Sequence, residues 1–245
     1  MTNRLSLVWP DPHPFEGRSE APIRILAISD VLEPTLTDRR NREAIRPVDL
    51  ILGCGDLDFD DLAFVADAFD GPLVYVRGNH DTGADWEKSS HACPKPMPPT
   101  FVIRRAGLRI GGVAWPAASE RHSDRSELGA WRQSVSLATR LLTRSGPSIV
   151  ISHVPPLGAG DVPSDPYHRG FRGYAWLLDH VRPRLWLHGH TPLAAARDWH
   201  VTVDGTDVVN VTGAVIIELT PPDPADGMAA TRHRLGRART GRGGH

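Results

Sequence analysis

Five short apolar runs each stop on a side chain that can hold a metal ion or move a proton. That pattern constrains the fold more than any other feature of the chain. "IRILAIS" (23–29) stops at Asp30, "VDLILGCG" (48–55) at Asp56, "PLVYVRG" (72–78) at Asn79, "SIVIS" (148–152) at His153 and "RLWLHG" (184–189) at His190. Continuous apolar runs of this length read as buried strands, often parallel ones. In an open sheet of such strands, ligands sit beyond the carboxyl ends. The sequence therefore predicts one sheet edge that gathers carboxylate, amide and imidazole groups.

Helical patterns alternate with these runs. "FDDLAFVADAF" (59–69) places Leu62, Val65, Ala66 and Phe69 on one face. "SELGAWRQSVSLATRLLTR" (126–144) predicts a helix buried along Leu128, Trp131, Val135, Ala138 and Leu142. "GYAWLLDHVRP" (173–183) predicts a short helix stopped by Pro183. Two strands are expected around Ala106-Gly107, and further strands over 200–219 with a turn at Asp204-Gly205. The alternation predicts an α/β layered sandwich. Residues 1–21 read as a loose arm, 22–220 as one domain, and 221–245 as a disordered Arg/Gly-rich tail without apolar periodicity.

Composition excludes several classes. A formal net charge of −1 supplies no field for nucleic acid or membrane surfaces. No run reaches the roughly 18 apolar residues of a membrane span. Two cysteines, Cys54 and Cys93, make no disulfide framework and imply a reducing compartment. No leader pattern opens the chain, so a cytoplasmic protein is expected. On so small a net charge a nucleic-acid partner is not expected.

Burying five such strand-end groups without a partner would be costly. A divalent cation is the natural partner, and a mixed carboxylate, amide and imidazole set suits Mn²⁺, Fe²⁺ or Zn²⁺. None of these ends offers a cysteine, which disfavours a structural zinc site. Cys54 reads as a small buried hydrophobe.

The ordered series "SD" (29–30), "GCGDLD" (53–58), "RGNHD" (77–81), "SHVPPLG" (152–158) and "LHGHT" (187–191) resembles the calcineurin-like metallophosphoesterases. The likeness spans residues 23 to about 219. It implies a four-layer α/β/β/α sandwich and a two-metal site that hydrolyses phosphoesters with metal-activated water, with a small phosphate-ester substrate as the expected partner. Carried over by position, Asp56 is similar to the carboxylate shared by both metals. Asn79, His153 and His190 are similar to the other ligands of the second metal, and Asp30 to a ligand of the first. The resemblance makes His80 the residue that assists the leaving oxygen, and Asp81 its orienting partner.

Two positions depart from the family pattern. Leu32 stands where the Asp-x-His motif has its histidine, and Pro192 where Gly-His-x-His has its last one. Both losses fall on the first metal, so one well-formed site and one weakened site are expected. A substitute such as Glu33 or His188 could restore the first. The chain also resembles a bacterial subgroup in which the first histidine is commonly absent, which leaves Pro192 as the more peculiar change. Loss of hydrolysis would instead leave a module that binds metal or a phosphate ligand.

The long Gly/Pro-rich loop 155–171 is expected to rim the site. Within it, His168 and Arg169 are candidates for substrate binding, since a guanidinium matches phosphate oxygens. "RHSDR" (121–125) is a second candidate rim.

Overall fold

The computed structural model describes residues 2–19, 21–81, 94–117, 125–195 and 198–223. Two sheets carry the domain. The first holds five strands in the order β1 (Asn3–Val8), β11 (Gly213–Thr220), β2 (Ile23–Ser29), β3 (Leu50–Gly53) and β4 (Leu73–Tyr75). The second holds six, in the order β5 (Val102–Arg105), β6 (Leu108–Val113), β7 (Ile149–Ser152), β8 (Leu185–His188), β10 (Thr206–Asn210) and β9 (His200–Val203). Strands β2, β3 and β4 are parallel, and so are β6, β7, β8 and β10. Hairpins add antiparallel β5 and β9, turning at Ala106-Gly107 and Asp204-Gly205 in left-handed conformations.

Alternation along the strands builds three apolar layers. Ile23, Ile25 and Ala27 of β2 face inward, with Leu50 and Leu52, against Ile110, Ile149, Ile151 and Leu185 of the other sheet. The opposite face of the first sheet, with Leu26, Ile28 and Ile51, packs under α2 (Phe59–Phe69) with Ile45 of α1 (Arg39–Ile45). The outer face of the second, with Val150 and Trp186, packs under α3 (Glu127–Leu142) and α4 (Arg172–Val181). The result is the expected four-layer α/β/β/α sandwich.

Two expectations need correction. The segment read as a loose arm contains β1, paired in parallel with β11 from Asn3 opposite Val215 to Val8 opposite Thr220. Its alternating burial, and the buried Trp9 and Phe15 behind it, anchor it to the inter-sheet core. The second correction concerns α3, whose buried face is Ala130, Ser134, Leu137, Ala138 and Leu141. Leu128, Val135 and Leu142 are exposed and Trp131 is partly so. Three small residues share this face with two leucines, since α4 comes close enough at Gly173 that an added Cβ would stand 2.9 Å from Trp131 N, and Ser134 returns its hydroxyl to the Ala130 carbonyl at 2.8 Å. Of the proposed tail, residues 224–245 lie outside the described residues, as do Arg121 to Asp124 of the second rim.

Candidate metal centre and active site

The carboxyl ends of β2, β3 and β4 meet those of β7 and β8 at one edge of the sandwich. The backbone there is held in unusual conformations. Asp30, Asp56 and His190 all have left-handed φ values, of 66°, 56° and 64°. Non-glycine residues rarely adopt that region, and each such position costs on the order of 1–3 kcal/mol. Three strained strand ends at one place mark a site in which side-chain direction outranks backbone comfort.

Nε2 of His153 is the meeting point. It lies 3.0 Å from Asp56 Oδ2, 2.9 Å from Asn79 Oδ1 and 3.2 Å from His190 Nδ1. One oxygen of Asp30 joins this group, with the Asp30, Asp56 and His153 ligand atoms all within 4.8 Å of one another. Backbone carbonyls fix both imidazoles from behind. His153 Nδ1 donates to the Cys54 carbonyl at 2.9 Å, and His190 Nε2 to the Tyr167 carbonyl at 2.9 Å. Each neutral ring then turns a lone pair inward, as ligand histidines do.

Those lone pairs face a carboxylate oxygen and an amide oxygen, neither of which can donate. The group therefore needs a proton or a cation at its centre. Ligand bonds of about 2.1 Å meeting at right angles separate donor atoms by about 3.0 Å. The contacts around His153 Nε2 match that spacing, and among the described residues the carboxylate and imidazole donors that lie mutually close enough for one cation are Asp30, Asp56 and His153. Without a cation, burial pulls the His153 imidazole down. The bonded Asp56 carboxylate, with Asp30 behind it, outweighs this and holds it at about 8. Burial and the neighbouring His153 push His190 down to about 3, so its ring stays neutral. Burial also pulls Asp56 towards protonation, but the hydrogen bond and charge of His153 leave its carboxyl below the ordinary range.

The first half of the centre is sparser. Asp30 is aimed by its own contacts: both oxygens accept from the His190 backbone N–H at 3.1 Å, and Oδ2 accepts from Thr212 Oγ1 at 3.0 Å. Leu32 is partly buried against the apolar cluster under α2, and Pro192 lines the cleft without offering a donor. Neither expected substitute faces the cleft. Glu33 lies against Gly213, where an added Cβ would stand 3.2 Å from its Oε2. His188 is fully buried, bonds the Gly189 carbonyl through Nδ1 and turns Nε2 onto Gly160. Burial drives its pKa to about 4.

Asp81 does not do what the resemblance implies. Its Oδ2 accepts from the backbone N–H of Asp56 at 2.8 Å and of Gly78 at 2.7 Å. It clamps the β3 end to the β4 end rather than orienting His80, and burial lifts its pKa to about 6. The clamp needs glycine at 78, because a Cβ there would stand 2.1 Å from Asp56 Oδ1. The other Asp56 oxygen, Oδ1, accepts the His80 N–H at 2.8 Å. The His80 ring is exposed; its Nε2 lies 4.0 Å from Asp56 Oδ2 and 3.5 Å from the Tyr167 hydroxyl.

The cleft above these groups has a volume of about 400 Å³. His168 lines it, as expected, and is held by Asp165 through Nδ1 at 2.5 Å. Arg169 does not: its Nε bonds the Pro163 carbonyl at 3.0 Å, and it borders a separate hollow beside Trp131 and Arg172. Asp58 and Asp61 also line the cleft, and burial with the charges of Asp58 and Asp60 raises the Asp61 pKa. Sequence reasoning missed these two and Tyr167. The DLDFDD run (56–61) signalled the acids, but nothing local shows that Tyr167 reaches Asn79, 88 positions away in the chain.

The sequence matches the model of the calcineurin-like phosphoesterase family over residues 23–194, from β2 to just beyond His190. No curated protein matches it. The fold is similar to the solved structure of TT1561 of Thermus thermophilus, with a TM-score of 0.55 at 19% identity over 78% of this chain and 90% of that one. A further solved chain gives a TM-score of 0.58 at 15% identity over 80% of this chain and 95% of that one. A dimetal phosphatase from Danio rerio, LOC 393393, gives 0.49 at 14% identity over 79% of this chain and 88% of that one. At such identities the likeness to solved structures concerns the fold alone, whereas the family match covers most of the chain and every strand end at the centre. The chain belongs to the calcineurin-like phosphoesterase family.

Proposed function

We propose that this protein is a metal-dependent phosphoester hydrolase acting on small phosphodiesters or phosphomonoesters. The observation that carries the reading is the convergence of Asp56, Asn79 and His190 on His153 Nε2, all within 3.2 Å. Asp56, Asn79, His153 and His190 hold one divalent cation of the Mn²⁺, Fe²⁺ or Zn²⁺ type. Asp30 and Asp56 offer a weaker second position. A bound cation supplies charge neutralisation for the phosphoryl oxygens and an acidified water as nucleophile.

The chain's own groups do the rest. The Asp81 clamp and the backbone bonds to both imidazoles set the ligands before the substrate arrives. Phosphoryl transfer needs positioning and charge neutralisation more than covalent help, which suits a cleft lined chiefly, among the described residues, by carboxylates and imidazoles. His80, exposed at the cleft beside Asp56, gives a proton to the leaving oxygen. A cleft of about 400 Å³ admits a small ester.

The test is hydrolysis of bis(p-nitrophenyl) phosphate and p-nitrophenyl phosphate by metal-stripped protein titrated with Mn²⁺. The expected result is metal-dependent turnover of at least one substrate, which His80→Ala reduces about 10²-fold or more at unchanged metal content. Turnover that is indifferent to His80→Ala would remove His80 from the reaction. No turnover with Mn²⁺, Fe²⁺ or Zn²⁺ would favour a metal- or phosphate-ligand-binding module.

A further inference from the structure

One side chain touches both halves of the proposed chemistry. The Tyr167 hydroxyl accepts from Asn79 Nδ2 at 3.1 Å and stands 3.5 Å from His80 Nε2. Asn79 is a proposed ligand, and His80 the proposed proton donor. The side chain is about half exposed, at 48%, so its hydroxyl sits where the cleft is open to a ligand.

Tyr167 arrives there from a loop that is fixed at several points. Asp161 ties the loop to itself, accepting from Gly158 N and Gly170 N at 2.9 Å each. Asp165 Oδ1 accepts the Tyr167 N–H at 2.9 Å. Arg125 reaches in from the start of α3, donating to the Tyr167 carbonyl at 2.6 Å and also to the carbonyls of Pro166 and Arg169. The same Tyr167 carbonyl accepts from His190 Nε2. One residue thus sets the tautomer of one ligand through its backbone and contacts another through its side chain.

The direction of the hydrogen bonds follows from the metal. A cation takes the amide oxygen of Asn79 and leaves Nδ2 facing away from it, towards Tyr167. The tyrosine oxygen must then accept. Its own proton is turned off Asn79, and because a proton-donating imidazole carries N–H on both nitrogens, the second lone pair of the tyrosine oxygen faces His80 Nε2, 3.5 Å away. Asp81 Oδ2 takes the backbone N–H groups of Asp56 and Gly78, and the Tyr167 hydroxyl is the side-chain hydroxyl beside the His80 ring.

We propose that Tyr167 is the positioning residue shared by Asn79 and His80, aligning the amide oxygen for the cation and the imidazole for the leaving group. The His80 half rests on the phosphoester-hydrolase reading. The Asn79 half needs only that the centre binds a divalent cation.

Tyr167→Phe is the variant that isolates the hydroxyl. The ring contacts with His190 and His168, at 5.1 and 4.9 Å between centroids, remain, and so does the carbonyl that receives His190. Calorimetric titration of the full chain with Mn²⁺ is expected to show a Kd about tenfold weaker in Tyr167→Phe, the lower end of what losing an outer-shell partner does. Thermal melting without metal checks that the variant is folded. In an Asn79→Ala background the same change is expected to have no further effect on Mn²⁺ affinity, since both act through one bond.

Rates then read the His80 half. With Mn²⁺ saturating, Tyr167→Phe is expected to lower kcat more for diphenyl phosphate, whose phenolate leaves poorly, than for bis(p-nitrophenyl) phosphate, with KM little changed. A Mn²⁺ Kd within twofold of the natural protein, or an equal loss in the Asn79→Ala background, overturns the proposal whatever the rates do. If the natural protein hydrolyses neither ester but the affinity loss appears, the hydrolase reading fails while the tie between Tyr167 and Asn79 stands.

Discussion

Nε2 of His153 stands 2.9 Å from Oδ1 of Asn79, and a neutral imidazole cannot satisfy that contact. Its only N–H is committed to the Cys54 carbonyl. An amide oxygen accepts and never donates. Asp56 Oδ2, which cannot donate either, lies 3.0 Å from the same nitrogen, and the centre answers these contacts with either a proton or a metal ion.

This competition predicts opposite pH dependences for the two forms. The His153 pKa rises from 6.5 to about 8 on folding, so its proton stabilises the metal-free protein. That stabilisation, of about 2 kcal/mol, is complete below pH 6.5 and is lost as pH rises through 8. Mn²⁺ must displace the proton, so its affinity is expected to rise by up to about tenfold per unit towards pH 8 and then level off. Melting curves of stripped protein and Mn²⁺ titrations across this range check both. An affinity that is flat from pH 6 to 8 would mean that His153 is not a ligand.

Asp81 is expected to matter for stability as well as for metal. Asp81→Ala leaves the buried N–H groups of Asp56 and Gly78 without their acceptor. Each orphaned donor costs about 1–3 kcal/mol, so a loss of roughly 2–6 kcal/mol is predicted by chemical denaturation. Metal content should fall too, because the loops bearing Asp56 and Asn79 come apart. A variant that keeps its stability would show the clamp to be incidental.

Restoring a ligand to the weakened half should work at one position and fail at the other. Pro192 is exposed and lines the cleft, so Pro192→His adds an imidazole at little structural cost. Bound Mn²⁺ measured by mass spectrometry is expected to move from one towards two per chain. Leu32 is partly buried against the apolar cluster under α2 and does not line the cleft, so Leu32→His is expected to cost some stability without adding metal. Equal gains from both would contradict this placement of Leu32.

The two faces of α3 give a further contrast. Leu137 is fully buried, and Leu137→Ala should cost about 2–5 kcal/mol. Leu128 and Leu142 are 61% and 62% exposed, and replacing either with Gln should change stability by less than about 0.5 kcal/mol. Comparable losses on both faces would mean that the outer stripe is covered in solution.

Strand ends are the most legible part of the sequence, because Asp, Asn or His rarely closes a buried apolar run unless a bound group needs it there. The β2, β3, β7 and β8 ends lie where their pattern puts them, and the donors of Asp56, Asn79, His153 and His190 converge. The face of α3 is not legible, because two apolar stripes compete along it and close packing on α4 buries the one that carries Ala130, Ser134 and Ala138 beside Leu137 and Leu141. The first strand is hard to see because half of "NRLSLV" is polar, although its alternation is present. The roles of Asp81, Tyr167 and Arg169 depend on loop paths that link positions far apart in sequence, and no local pattern carries that information.

The most direct test of the account is anomalous diffraction from crystals grown with Mn²⁺. A peak at about 2.0–2.3 Å from Asp56, Asn79, His153 and His190 together is the predicted result. A Mn²⁺ ion bound elsewhere, or those four side chains hydrogen-bonded around a proton with the metal in excess, would contradict it.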